Sequence, residues 1–377
     1  MRRSFSLPSA LAVLALAAAC STTDRTVAPA ERTSAEPLAA AEQAPLYMVS
    51  FRDDVADVRA VARELGARGG FQIENVREFA GRGFDAVIPP AFIDEVRNDP
   101  RVTLVERDGP VQLVLPRADA QGPTAQATQT TPWGITRVGG AGDGTGKTAW
   151  IIDTGIDLDN PDLNTSKACH ANFTNGRSAD DGNGHGTHVA GTIAAKDNAL
   201  DVVGVAANAY VCAVRVLGNS GSGQWSWVVN GINYVAANGK SGDVANMSLG
   251  GGANSTVDNA VKQASSAVKF ALAAGNEGDN ANNHSPARVN GANIYTVSAI
   301  DSKNCMPSWS NYGNPPVDYA APGVSILSLR RGGGTTTMSG TSMATPHVAG
   351  ILLLGGVRAD GSACNDPDGN PDPIAHR

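Results

Sequence analysis

The sequence predicts an α/β protein: a mostly parallel sheet covered by helices on both faces, preceded by a small ferredoxin-like α+β unit. Three observations carry this. From Trp133 onward, short apolar runs of strand type alternate with stretches of helical length, the pattern of a parallel sheet with crossover helices. Leu46 to about Leu115 follows its own order, β-α-β-β-α-β, the split pair of a ferredoxin-like unit. Two stretches rich in Ala, Thr and Pro, 21–44 and 116–131, read as exposed linkers. At 377 residues with 43 glycines, the chain has room for two or three units and for many tight turns.

Residues 1–20 read as an export signal rather than fold. Arg2 and Arg3 are followed by an apolar run, Leu7 to Ala19, that ends in three alanines. The run is short for a membrane span. Cys20 follows at once, so the end also resembles a lipoprotein signal, and a lipid on Cys20 would be the chain's membrane attachment. After the linker 21–44, the unit 45–115 begins with the strand Tyr47–Phe51. A helix carries Val55, Val58, Ala62 and Leu65 at helical spacing, with Gly66 as its stop. A strand pair, Phe71–Phe79 and Phe84–Ile88, spans Gly81-Arg82-Gly83. The helix Pro90–Asn98 and the strand Val102–Glu106 complete it.

Beyond the second linker, residues 132–377 form the larger unit. Its expected strands are Ala149–Asp153, Val211–Leu217, Val244–Leu249, Phe270–Ala274 and Ile294–Ile300. Its expected helices are His185–Lys196, Ser226–Asn238, Thr256–Val268 and Thr341–Leu354. Sites in such sheets lie beyond the carboxyl ends of strands, where Asp153, Ser248 and Asn276 fall. Cys169, Cys212, Cys305 and Cys364 would meet an oxidising compartment after export and admit three pairings, among which sequence does not choose. Chain order would join Cys169 to Cys212 and Cys305 to Cys364. A net charge of −7 without a basic run argues against nucleic acid as a partner.

Three segments carry chemistry. Ile151-Ile152-Asp153-Thr154-Gly155 ends an apolar strand with an acid. Gly184-His185-Gly186-Thr187-His188 opens a helix with a histidine, and Gly340-Thr341-Ser342-Met343-Ala344 opens another with a serine. A serine hydroxyl is a poor nucleophile until a base takes its proton, and the base needs an orienting carboxylate. A serine at a helix N-terminus also has N–H groups aimed at a developing oxyanion.

Other motifs carry less. Ala141 to Thr148 fits a loose phosphate-loop pattern, but it precedes a strand where such a loop must follow one, so it reads as a turn. His185 and His188 could suggest a metal pair, yet no third ligand is evident. His188 and His347 read as packed structural histidines, and Asp157 and Asp159 as loop caps. Asp366 to Asp372 alternates oxygen side chains, but proline at the sixth place and Arg377 at the twelfth argue against an EF-hand. It reads as an acidic surface loop.

In order and spacing these three segments resemble subtilisin-type serine proteases, closest to the proteinase K branch. Thr131 to Ile135 resembles a mature start of that branch, and the similarity runs from Trp133 to Gly350. The resemblance implies a subtilisin-like fold in which Asp153 orients, His185 acts as base and Ser342 as nucleophile. Asn276, in Ala273-Ala274-Gly275-Asn276, would be the oxyanion donor. Gly221, Ser222 and Gly223, up to Gln224, with Ser248, Leu249 and Gly250, would pair with an extended substrate backbone. The unit 45–115 would be an inhibitor-type propeptide, released by a cut within 116–131.

The expected protein is thus an exported, self-processing serine endopeptidase. It would be monomeric, with protein or peptide substrates, its own propeptide as intramolecular inhibitor, and a preference for apolar or aromatic residues before the cut. Catalysis would need no cofactor. Asp318, with carbonyls near Asn290 and Ile294, matches a structural calcium site of the branch. The alternative from another class is a surface-attached binding protein that keeps the fold without activity, with a nucleotide-binding protein a distant third. Only 27 residues follow Gly350, so the closing helices usual in this branch are not expected.

Overall fold

The computed structural model describes residues 44–113, 128–165 and 168–377. The expected export signal, Cys20, the first linker up to Gln43, the last two residues of the 45–115 unit and the second linker from Pro116 to Ala127 lie outside the described residues.

The front unit follows the order read from its sequence: β1 (Leu46–Phe51), α1 (Val58–Gly69), β2 (Ile73–Arg77), β3 (Gly83–Val87), α2 (Pro90–Arg97) and β4 (Val102–Arg107). Its strands lie in the order β2-β3-β1-β4, and each neighbouring pair is antiparallel, the split pairing expected. Gly66 does not stop α1. The helix runs on to Gly69, and Gly70, at φ 65°, supplies the left-handed residue that ends it. Val49, Phe51, Leu65, Phe71, Phe84 and Ile88 build a small core of its own.

A strand, β5 (Pro110–Gln112), ends this unit. The larger unit then opens with α3 (Trp133–Arg137), which sequence reading passed over. Its main sheet contains β6 (Thr148–Asp153), β7 (Tyr210–Arg215), β9 (Val244–Met247), β10 (Lys269–Ala273), β11 (Ile294–Ile300) and β12 (Val317–Pro322). A short strand, β8 (Ser222–Gln224), lies outside that sheet, and the hairpin β13 (Ile326–Leu329) and β14 (Thr335–Met338) follows β12. The chain ends in β15 (Arg358–Ser362) and β16 (Pro373–His376). Helices are α4 (His185–Ala194), α5 (Trp225–Asn238), α6 (Ser255–Ala264) and α7 (Thr341–Leu354). The sheet order is β15-β16-β12-β11-β10-β9-β6-β7, with two short segments beyond β7. Every pair in it is parallel except β15 with β16.

The period of two decides which helix each strand residue meets. In β6, Ala149 and Ile151 join Val189 and Ile193 of α4 and Val348 and Ile351 of α7 in one core. Trp150 and Ile152 face the other way, into a second core with Val228 and Ile232 of α5 and Val257 and Val261 of α6. Asp153 has the parity of Ile151 and therefore turns toward α4. The chain moves from β6 outward to β7, then returns to β9 on the opposite side of β6. That reversal is a topological switch point, where the carboxyl ends of such a sheet open a crevice.

Cys169 pairs with Cys212 and Cys305 with Cys364, the pairing that chain order suggests. Gly142 and Asp143 form a two-residue strand before the turn into β6, so the phosphate-loop pattern is a turn before the first core strand. Thr128 and Thr130, assigned to the linker, bridge to Leu200 and Val202. Among the described residues, α7 is followed by β15 and β16, and β16 adds a strand beside β12.

Candidate active site

Asp153 ends β6 and is wholly buried. Its carboxylate takes the His185 Nδ1 at 2.8 and 3.0 Å, so the pair requires Nδ1 to carry the proton. His185 Nε2, also buried, has no protein hydrogen-bond partner. Close approach makes the pairing possible: a Cβ on Gly186 would lie 2.0 Å from the Gly155 carbonyl oxygen. Only glycine lets α4 begin that near the end of β6.

A residue that sequence reading missed holds this junction. Asp181 is buried, and its Oδ1 accepts from the N–H groups of Asn183 and Gly184 and from the Thr154 hydroxyl, each at 2.9 Å. Its Oδ2 accepts from the N–H and hydroxyl of Thr187, at 3.0 and 2.6 Å. The carboxylate thereby satisfies N–H groups at the start of α4. Thr154 Oγ1 in turn accepts from Gly186 N at 3.0 Å, tying β6 to α4. The available signal was an acid four residues before the histidine that opens a helix.

Ser342 lies in the first turn of α7, behind Gly340. Its Oγ donates to the Ser248 carbonyl at 3.1 Å, and Ser248 Oγ donates back to the Ser342 carbonyl at 2.8 Å. The second bond has a local cause. Pro346 sits inside α7 and has no N–H for the carbonyl four residues earlier, so Ser248 supplies the donor that the helix cannot. Ser342 Oγ is thus turned to Ser248 rather than bonded to His185 Nε2.

Asn276 follows β10. Its Oδ1 accepts from Thr341 N at 2.8 Å and from the Thr341 hydroxyl at 3.0 Å, which decides which side of the amide carries the NH2. Asn276, Ser342, Ser248, Leu249, Gly250 and Ala274 share the lining of one recess. Ser248 to Gly250 lie past β9 as extended chain outside any strand, whereas Ser222 and Gly223 belong to β8, with Gly221 just before it. β8 already has a partner: β5 pairs with it antiparallel, Val111 opposite Gly223, and Leu113 N donates to Gly221 O at 2.9 Å. A segment of the front unit therefore lies on the strand edge that sequence reading gave to substrate.

The front unit holds on by carboxylates that sequence reading also missed. Glu106 accepts from Ser255 N, Thr256 N and the Thr256 hydroxyl, capping α6 at 2.6 to 3.0 Å. Asp108 accepts from Ser226 N and its hydroxyl at 2.9 and 2.6 Å, at the start of α5. Burial raises the Asp108 carboxyl above its ordinary range despite those bonds. The buried Arg77–Asp85 pair extends the contact, since Asp85 also accepts from Asn230 of α5 at 3.1 Å.

His188 and His347 are structural. His188 is fully buried, bonds Ile326 O at 3.0 Å and is pushed down to about 3 by burial. His347 bonds Met343 O at 2.9 Å and is lowered to about 4 for the same reason. Both stay neutral at ordinary pH. Asp318 lies in β12, where one oxygen accepts from Thr296 N at 2.8 Å and burial raises the carboxyl. Among the described residues no group of three His, Cys, Asp or Glu side chains could hold a metal ion.

The profile of the subtilase family matches residues 144–355. The chain is 42% identical over 299 residues to alkaline serine exoprotease A of Vibrio alginolyticus, covering 75% of this chain and 53% of that protein. It thus spans about half the length of that relative. It is 40% identical to the subtilisin-like serine protease AsES of Sarocladium strictum, over 81% of this chain and 78% of the relative. Proteinase R of Parengyodontium album is 35% identical, over 84% and 81%. A crystal structure of a cold-adapted subtilisin-like serine proteinase superimposes with a TM-score of 0.57 at 38% identity, covering 65% of this chain and 97% of the other. With a family match over more than half its length, and relatives above 30% identity across most of theirs, the chain belongs to the subtilase family of serine proteases.

Proposed function

We propose that the chain is an exported serine endopeptidase that cleaves peptide bonds through an acyl-enzyme and is made as a self-processing zymogen. The observation that carries this is the buried Asp153–His185 pair, with Nδ1 bonded to the carboxylate and Nε2 left without a protein partner. In the proposed reaction, rotation of the Ser342 side chain brings Oγ to Nε2. His185 takes the proton as Oγ attacks the carbonyl carbon, and the imidazolium is stabilised by Asp153. Asn276 Nδ2 donates to the tetrahedral oxygen. His185 then returns the proton to the departing amine, and water repeats the sequence on the acyl-enzyme.

In this reading, substrate lies between Gly221–Gly223 and Ser248–Gly250 as an added strand, with apolar or aromatic side chains favoured before the cut. Until maturation, β5 occupies the β8 edge, so the front unit would act as intramolecular inhibitor and be released by a cut between Pro116 and Thr131. A monomer is proposed, with the membrane reached only by a lipid on Cys20. Family membership and the paired Asp153–His185 speak against a silent binding protein. For calcium, Asp318 offers one carboxylate whose burial leaves negative charge poorly matched, so a cation there would rest on it and on carbonyls near Asn290 and Ile294. Calcium would stiffen that loop without touching the reaction. EDTA should lower the melting temperature of wild type and leave Asp318→Asn unchanged.

The decisive test compares wild type and Ser342→Ala, expressed without residues 1–20. Intact mass is followed over time beside a casein assay. Wild type should lose the residues ahead of a cut within 116–131 and hydrolyse casein, while the variant stays at its expressed length and inert. Equal behaviour of two correctly folded proteins would remove the proposal and bring forward the binding-protein alternative.

A further inference from the structure

Beside the start of α4 lies a second recess, of about 280 Å3, lined by Asn183, Gly184, Arg330, Arg331, Thr336 and Met338. Its position follows from chain order. Asn183 and Gly184 immediately precede His185, and Met338 precedes Ser342 by four residues. Arg330 and Arg331 form the tip of the β13–β14 hairpin, which leads directly into α7. A Cβ built on Gly184 would lie 3.7 Å from Arg331 Cβ, so the Arg331 stem stands against the residue before the proposed base.

Direction supplies the next step. β5 runs antiparallel to β8, and Leu113 N reaches Gly221 O. The peptide thus advances along the β8 edge from Gln224 toward Gly221. A substrate bound in the same sense places its residues before the cut along that edge and the recess beneath Asn276. Residues after the cut must leave past His185, toward Gly184 and the hairpin tip.

Both tip arginines are exposed, and among the described residues no ion pair or side-chain hydrogen bond engages either guanidinium. The acids nearby keep their charge but bond main-chain and hydroxyl groups rather than either guanidinium. Asp157 takes the Gly332 N–H at 2.9 Å and so pins the tip. Asp180 Oδ1 takes Leu158 N, and Asp181 is spent on the start of α4. Two guanidinium groups without an ion-pair partner among the described residues thus stand beside the start of α4, in a chain of net charge −7.

We propose that Arg330 and Arg331 make the site selective for acidic side chains at the first two positions after the cut. This rests on the endopeptidase reading above. Exposed ion pairs contribute little singly; two acting on one short peptide should favour Glu over Lys by about threefold to tenfold at low salt. Most of that preference should vanish at about 1 M NaCl, where screening acts over roughly 3 Å.

The test uses matured wild type and quenched peptides that share every residue before the cut. They carry Glu-Glu, Gln-Gln or Lys-Lys after it, and mass spectrometry confirms the cleaved bond. An anilide with the same acyl side and no residues after the cut is measured alongside, for wild type only. Expected is a kcat/KM order Glu, Gln, Lys that flattens with salt. Arg331→Glu should invert the ratio of Glu to Lys peptides, and Arg330→Gln with Arg331→Gln should bring it near one, covering the case where the first variant folds poorly. A cleaved anilide with a wild-type ratio near one, or a ratio unmoved by the variants, overturns the inference and leaves the endopeptidase standing. An intact anilide with every peptide uncut overturns both.

Discussion

Ser248 and Ser342 exchange hydrogen bonds: each hydroxyl donates to the other's carbonyl, at 2.8 and 3.1 Å. The exchange fastens the end of β9 to the first turn of α7 and stands in for the N–H that Pro346 lacks. Ser248→Ala should therefore leave a buried carbonyl without a donor and cost about 1–3 kcal/mol of stability. Denaturant melts in the Ser342→Ala background, with and without Ser248→Ala, measure that loss. A loss below that range would show that the Ser342 carbonyl has another donor.

The Asn276 amide is oriented by Thr341, so its loss should be felt in turnover rather than in binding. Asn276→Ala is expected to lower kcat by about 100- to 1,000-fold with little change in KM, a magnitude borrowed from subtilisin's own oxyanion asparagine. A loss confined to KM would remove Asn276 from the reaction.

Asp181 touches no reacting atom, yet it holds α4 against β6. Asp181→Ala should lose about 2–4 kcal/mol, because five donors at a buried helix start are left unmet at once. Asp181→Asn keeps one acceptor and should recover part of this. In both variants kcat should fall with the alkaline and acid limbs of the pH profile displaced, since His185 moves with its helix. Loss of stability with an unaltered pH profile would restrict Asp181 to a structural role.

Asp372 is buried in the returning C-terminal segment, bonded to the Ser298 hydroxyl, and raised to about 7 by burial and by the nearby Asp366 and Asp368. An unfolded aspartate releases its proton near 4. Between those values the native state holds more protons than the unfolded chain, so stability falls as pH rises and the full cost stands above about 7. Asp372→Asn, in the Ser342→Ala background, should flatten the decline in melting temperature between pH 5 and pH 8 by a cost on the order of a few kcal/mol. Parallel profiles would show that the carboxyl ionises freely.

The local pattern of residues was sufficient for the alternating α/β order, the βαββαβ front unit and the segments bearing Asp153, His185, Asn276 and Ser342. Each of these leaves a local trace: a period of two or 3.6, a glycine beside a catalytic-type residue, an apolar run ending in an acid. Only the tertiary structure decided that Glu106 and Asp108 cap α6 and α5, helices that begin more than a hundred residues later, and that Asp181 holds the start of α4. It also decided that Ser248 completes the helix interrupted by Pro346, that the C-terminal strand β16 pairs with β12, and that Arg330 and Arg331 line a recess with Gly184. The division has one physical reason. Burial and helix or strand geometry repeat along the chain, so they can be read from spacing. A carboxylate satisfying the N–H groups of a distant helix depends on which surfaces the fold brings together, and nothing in its sequence neighbourhood records that meeting.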